Sequence, residues 1–351
     1  MAIQKYTTNA QRIAKLKGEI LAHAIPVEVL AITGQKRKMP KNGSDTIVYR
    51  RWLPYGPTTV TLANGFGNRP VVDPTLHLTT EGVTPTADSL TPTDVSVTLL
   101  QYSCLYAVTD KTVDLYEDDI PMEMKQQTGE RMGLVREMIK YGVLRAGTNL
   151  FYSGGTTRAT VSSVITYNFL SKISRNLQSN HGKMITSILS ASPNFNTAPV
   201  EAGYLVFCHT DCEHDIRLLP DFKHVSEYGQ RKVMHEQELG SQGRFRFIQS
   251  PELNSYLDAA TSVTASTAGL FSTTGTNPDV YPVIVVAEDA WGDVALRGSD
   301  SVDPTWLPPG QKDKNDPLGQ RGYIGAKFYS AAYIANNGWM AVGEVGVTVL
   351  P

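Results

Sequence analysis

The chain has 351 residues and a mass of 38.4 kDa, enough for one large core or two modest ones and so for two or three subdomains. Hydrophobic residues are 41% and charged residues 19%, a folded composition whose sparsely charged surface suits extensive contacts. A net charge of -2 excludes a chain that is basic throughout, three cysteines exclude a disulfide framework, and no apolar run is long enough to span a membrane.

The first residues lack the apolar stretch of a signal peptide, which fits synthesis in a reducing cytoplasm. Residues 9–32 read as an amphipathic helix, with Ile13, Leu16, Ile20, Ala24 and Val27 at helical spacing and Pro26 dividing it. Residues 1–51 carry ten Lys or Arg against three acids. Lys5, Arg12, Lys15, Lys17, Lys36, Arg37, Lys38 and Lys41 are therefore candidates for contact with a polyanion, or else a solvated face. After the polar, basic run 35–41, Thr46–Trp52 reads as a strand.

Residues 53–98 are rich in Thr and interrupted by Pro54, Pro57, Pro70, Pro74, Pro85 and Pro92. Such a stretch has no core of its own and reads as an extended arm or two-stranded flap held by something else. Strand character continues over 101–109, and then the period changes. Residues 113–150 form the longest helical pattern, with Asp110 or Asp114 as caps and Pro121 separating a short first segment. A second helix is expected over Tyr167–Ser179, a buried strand over 202–209 and a helix over 211–219. Phe245–Gln249 and residues 281–287 read as strands, with the stretch 259–280, small and uncharged until Asp279, between them as an insertion or surface loop. Residues 297–315 read as a loop, and 323–333 and 339–350 as closing strands, the last half-buried.

No catalytic constellation emerges. Cys208, His209, Asp211, Cys212, His214 and Asp215 invite a metal reading, but their spacing is poor for one site. The plainer reading is a strand-to-helix junction in which Asp211 caps the helix and Asp215 pairs with Arg217. There is no GxSxG elbow, Walker sequence, dinucleotide fingerprint or HExxH, so no enzyme, cofactor or metal is expected.

The run from Asp316 through Pro317, Leu318, Gly319, Gln320, Arg321 and Gly322 to Gly325, Lys327, Phe328, Asn336, Asn337, Trp339 and Met340 resembles the N4-type tailed-phage major capsid proteins. Residues His209, Asp215, Ile216, Arg217, Pro220, Phe222, Tyr228, Gly229, Gly240, Arg246 and Phe247 fit the same family. The resemblance implies an α+β, HK97-like fold. Its parts would be an N-terminal arm (1–45), an extended loop and its base (46–108), a peripheral domain with a long spine helix (109–200), an axial domain (201–335) and a returning C-terminal strand (336–351). It implies self-assembly as hexamers and pentamers into an icosahedral head around double-stranded DNA, in a virion built in the bacterial cytoplasm. Implied partners are further copies of the chain, decoration or cement, portal and scaffolding proteins, and non-specifically contacted DNA; no membrane is implied. Pro54, Tyr55, Phe66, Arg69, Asp316, Gln320 and Arg321 are the candidate inter-subunit contacts. A tail, decoration or other virion binding protein is the alternative.

Overall fold

A computed structural model describes residues 28–52, 59–61, 68–70, 75, 78–84, 92–116, 119–185, 201–229, 233–297, 302–312 and 314–350. The helix expected over 9–32 falls almost wholly outside them; at its end Leu30–Ile32 makes one 3-10 turn.

Strands β1 (Gln35–Met39) and β2 (Thr46–Trp52) precede β3 (Thr59–Thr61), β4 (Asn68–Pro70), β5 (Pro92–Thr98) and β6 (Leu100–Thr109). Helices α1 (Asp110–Leu115) and α2 (Ile120–Arg145) lead to β7 (Leu150–Tyr152), α3 (Tyr167–Ser179), β8 (Tyr204–Cys208), α4 (Glu213–Arg217) and β9 (Lys223–His224). Then follow β10 (Glu238–Gln242), β11 (Phe245–Gln249), α5 (Ala265–Ala268), β12 (Tyr281–Val286), β13 (Trp291–Leu296), β14 (Asp303–Leu307), β15 (Arg321–Ile334) and β16 (Met340–Val345).

A seven-stranded mixed sheet runs β7-β16-β12-β8-β11-β10-β9. Its central strands are apolar on both sides because both faces are covered. Alternate residues separate accordingly. Tyr204, Val206, Cys208, Val283 and Val285 face a core with Leu170, Ile173 and Leu177 of α3. Leu205, Phe207, Ile284 and Val286 face a second core with Leu30, Trp291 and Tyr141 and Leu144 of α2. The closing strand is therefore fully buried over 340–345, not half-buried as its alternation suggested. At Gly343 a Cβ would lie 2.8 Å from the Phe169 ring, so only glycine allows α3 this close to the sheet.

The second sheet is organised by β15. Its residues 321–330 pair with β6 on one side, from Arg321↔Thr109 to Ser330↔Leu100, and 323–327 pair with β14 on the other. Its last residues pair with β13, which holds β1 in parallel at the edge. The basic run 35–41 thus contains a strand, and 303–307 is a strand rather than loop. Helix α2, 26 residues and about 39 Å long, lies along this sheet and packs Met132, Val135 and Ile139 on Ala326 and Phe328.

The helical stretch expected over 113–150, with a short first segment set off near Pro121, is two helices, and the first begins already at Asp110. Thr109 caps α1 by accepting from Thr112 N–H, and the chain turns extended at Tyr116. Asp119 then caps α2 by accepting from Met122 N–H, with Pro121 in the first turn where a missing N–H costs nothing. The helix ends at Arg145, and Leu150 already belongs to β7.

Strands β2 and β5 pair in unbroken antiparallel register from Thr46↔Thr98 to Trp52↔Pro92, and β3 pairs with β4 beyond them. The described strands between β1 and β6 thus pair two by two, as a flap of two strands.

Candidate functional site

Two surfaces carry the sequence-predicted residues. On the flap, alternation splits β2 into two faces. Ile47 and Tyr49, with Val95 and Val97 opposite, pack on Met39, Val294, Ala331 and Tyr333 of the second sheet. Tyr49 stacks on Tyr333 at 4.9 Å between ring centroids, and the Arg37 guanidinium lies 5.0 Å from the Tyr49 ring. Burial raises the Tyr49 phenol pKa against the opposing charge of Arg37, and its buried hydroxyl has no hydrogen-bond partner among the described residues. Burial likewise lowers the pKa of Arg51, further out on the same face.

The opposite face has no such support. Val48 is 55% exposed and Trp52 53% exposed, flanking an exposed Arg50–Asp94 ion pair of 2.7 Å. Two strands with one apolar side left open are marginal in water by themselves. Leu100 and Leu105 of β6 are also exposed, and β6 and β14 are edge strands of their sheet. Pro54, Tyr55 and Phe66 lie outside the described residues; Arg69 lies in β4, opposite Val60.

The turn at 316–322 is well braced. The Arg321 N–H donates to Asp316 Oδ2 at 2.7 Å, and the Asp110 N–H donates to the Gln320 carbonyl at 3.0 Å. That joins the turn to the start of α1. Gly319 has φ +69° and packs against Gly310. Asp316, Gln320 and Arg321 are thus local turn residues in the chain itself, beside the exposed Leu318.

On the basic surface, Lys36, Arg37 and Lys38 are on β1, and Lys41 is in the turn that follows; Lys5, Arg12, Lys15 and Lys17 lie outside the described residues. Beneath β1 lies a feature that hydrophobic periodicity missed: Glu137 and Lys140 of α2 are buried. Glu137 Oε1 accepts the backbone N–H of Val29 (2.8 Å) and Leu30 (2.7 Å), tying the chain before β1 to the helix. Burial raises the Glu137 pKa, although those two hydrogen bonds act the other way. Burial lowers the Lys140 pKa, opposed by Asp293 and Glu137. The signal in the sequence was only a Glu and a Lys three apart, a spacing more often seen on solvated faces.

The Cys–His cluster is a folded junction. Cys208 and Cys212 are buried among apolar side chains, and burial pushes the Cys208 thiol up to about 12 and the Cys212 thiol well above its usual range. His209, not Asp211, caps the turn: its Nδ1 accepts the Asp211 N–H at 3.1 Å. Asp211 accepts from the Tyr281 hydroxyl at 2.8 Å. Asp215 accepts from the Thr348 N–H and hydroxyl, and Arg217 pairs with Glu213 rather than Asp215. Among the described residues no group of three or more His, Cys, Asp or Glu is arranged to hold a metal, and no helix is long and apolar enough to cross a membrane.

The stretch 259–280 is fastened through Asp279 to Asp258 and Thr273. Buried Asp279 accepts the Asp258 N–H, the Thr273 N–H and the Thr273 hydroxyl. Elsewhere Arg158 grips the buried Glu344 through two hydrogen bonds of 2.6 and 2.9 Å and stacks on Tyr256 at 3.6 Å.

Over its full length the chain is similar to a chain of the capsid of Ralstonia phage GP4, with 100% of each chain covered, a TM-score of 0.64 and 9% identity. It is similar to a chain of the head structure of Helicobacter pylori bacteriophage KHP40 (98% of each chain, TM-score 0.59, 11% identity) and to one of the capsid asymmetric unit of cyanophage Pam1 (99% of each, TM-score 0.57, 15% identity). The chain has the HK97-like capsid fold. In sequence it is similar to the major capsid protein of Pseudomonas phage KPP21, 18% identical over 264 residues. That match covers 70% of this chain and 65% of the relative, so the chain spans less than two thirds of the relative's length. No family model matches the chain.

Proposed function

We propose that this chain is the major capsid protein of a tailed phage of the N4 type, assembling as hexamers and pentamers into an icosahedral head around double-stranded DNA. The observation that carries this reading is the flap: its inner face is anchored in its own subunit, while Val48 and Trp52 point outward without cover. A neighbouring copy of the chain supplies that cover. The likeness to capsid and head proteins supports the same assignment.

On this reading residues 1–45 are the arm, 46–108 the extended loop, 109–200 the peripheral domain with α2 as spine, 201–335 the axial domain and 336–351 the returning strand. The basic residues of the arm and β1 face the packaged DNA by non-specific attraction. Pro54, Tyr55, Phe66, Arg69, Asp316, Gln320 and Arg321 lie at subunit junctions. Decoration, portal and scaffolding proteins are the further partners, and the virion is the place of residence. The role is structural, with no catalysis.

Electron microscopy of the expressed protein, beside its sedimentation profile, tests the assignment. Closed shells or six-membered rings support it; a discrete trimer moves the assignment to a tail or decoration protein.

A further inference from the structure

A cleft of about 210 Å³ opens at the root of the flap, between β1, the β2–β5 pair and the end of β15. Its charges are unbalanced: Arg37, Arg50 and Arg51 stand against Asp289 alone among the described residues. Arg50 is answered by Asp94, and Arg37 is bonded to Gln35 and stacked on Tyr49. Arg51 is left over. Its Nε is buried without a hydrogen-bond partner, and burial lowers its pKa with no neighbouring charge acting the other way. The Tyr49 hydroxyl is a second buried donor without a partner on the same lining.

An arginine that only covers apolar surface keeps its charged head in water. Arg51 Nε is shut off from water, so the site is short of an acceptor. Two free donors beside the walls made by Val95, Tyr333 and Trp339 suit a carboxylate carried on an apolar segment.

The chain itself holds such a segment. Beyond Trp52 the sign of the flap reverses: residues 53–99 carry four acids and one cation, Arg69. Glu81, one of those acids, sits on a turn between β4 and β5, where the Val83 N–H donates to the Thr80 carbonyl at 3.1 Å and Gly82 has φ +78°. Its side chain is exposed, and it stands between Leu78, 78% exposed, and Val83, 63% exposed. We propose that this turn of one copy enters the cleft of the next, where the Glu81 carboxylate accepts from Arg51 and from the Tyr49 hydroxyl. The inference rests on the capsid reading and names a contact within it. A contact between two different patches runs head to tail, and repeated around a rotation axis it closes a ring.

The test is sedimentation and microscopy of R51E, E81R, the double variant R51E/E81R and an equal mixture of the two single variants, beside the wild type. Each single variant should raise the concentration needed for assembly at least about tenfold. The double variant and the mixture should both restore it, because in an alternating ring every cleft again meets the opposite charge. Single variants that assemble as the wild type does overturn the contact. Rescue by the double variant without rescue by the mixture places the pair within one subunit and also overturns it. If R51E does not fold, E81R on its exposed turn decides: unimpaired assembly refutes the contact. A synthetic peptide of residues 75–84, titrated into the full chain, separates this inference from the capsid assignment. Peptide binding that R51E abolishes, with no assembly of the wild type, keeps the site and sinks the capsid assignment. Wild-type shells with no effect of either substitution sink this inference alone.

Discussion

Tyr49 stacks on Tyr333 with ring centroids 4.9 Å apart, and this contact joins the flap to the second sheet. The ring carries the contact, because the buried hydroxyl has no partner among the described residues. Tyr49→Phe is therefore expected to leave the melting temperature unchanged or slightly raised, since it removes an unsatisfied polar atom. Tyr49→Ala is expected to destabilise by about 2–4 kcal/mol through lost burial and stacking. Thermal unfolding of both variants checks the pair.

Glu137 gives a pH signature. Burial raises its folded pKa above the ordinary 4.5, so the folded state holds a proton that the unfolded chain has released. The contribution of this group is then fully present at acid pH and is lost as pH rises from about 4.5 through the folded pKa. Glu137→Gln keeps an acceptor for the Val29 and Leu30 N–H groups and is expected to remove that decline. Chemical denaturation of both proteins from pH 4 to pH 8 measures the difference.

Arg158 and Glu344 form a two-hydrogen-bond ion pair in which Glu344 is fully buried. Arg158→Ala leaves that carboxylate unpaired and should cost about 1.5–3 kcal/mol. Replacing both partners, as R158M/E344Q, should cost less than Arg158→Ala alone. A double-mutant cycle on denaturant midpoints reads the coupling.

There is no lysine between Leu53 and Thr109, so the flap offers no amine for a Lys–Asn crosslink between subunits. Denaturing gels of assembled particles should show a single band near 38.4 kDa; a ladder of multiples would refute this.

The fold was legible where local pattern and burial agree. Runs of β-branched and aromatic residues announced β8, β11 and β12, and the flap followed from prolines in a stretch without a core. It was less legible where pairing partners are distant. Strand β1 reads only as a polar, basic run because its register with β13, some 250 residues away, is what makes it a strand. Strand β14, with Asp303 and Pro304, is an exposed edge that carries no apolar alternation. The caps at Thr109 and Asp119 divide what periodicity alone joins. At the site, Lys36, Lys38 and Lys41 were visible as local charge. Glu137 and Lys140 were not, because a charged pair three residues apart looks the same on a solvated face as under a sheet.

The central claim is that the open face of the flap lies against another copy of the chain. The most direct measurement is microscopy and sedimentation of the wild type beside the double variant V48D/W52D, whose two sites are each more than half exposed. The account predicts closed shells or rings for the wild type, and free subunits with an unchanged melting temperature for the variant. Shells formed equally well by both proteins would contradict it.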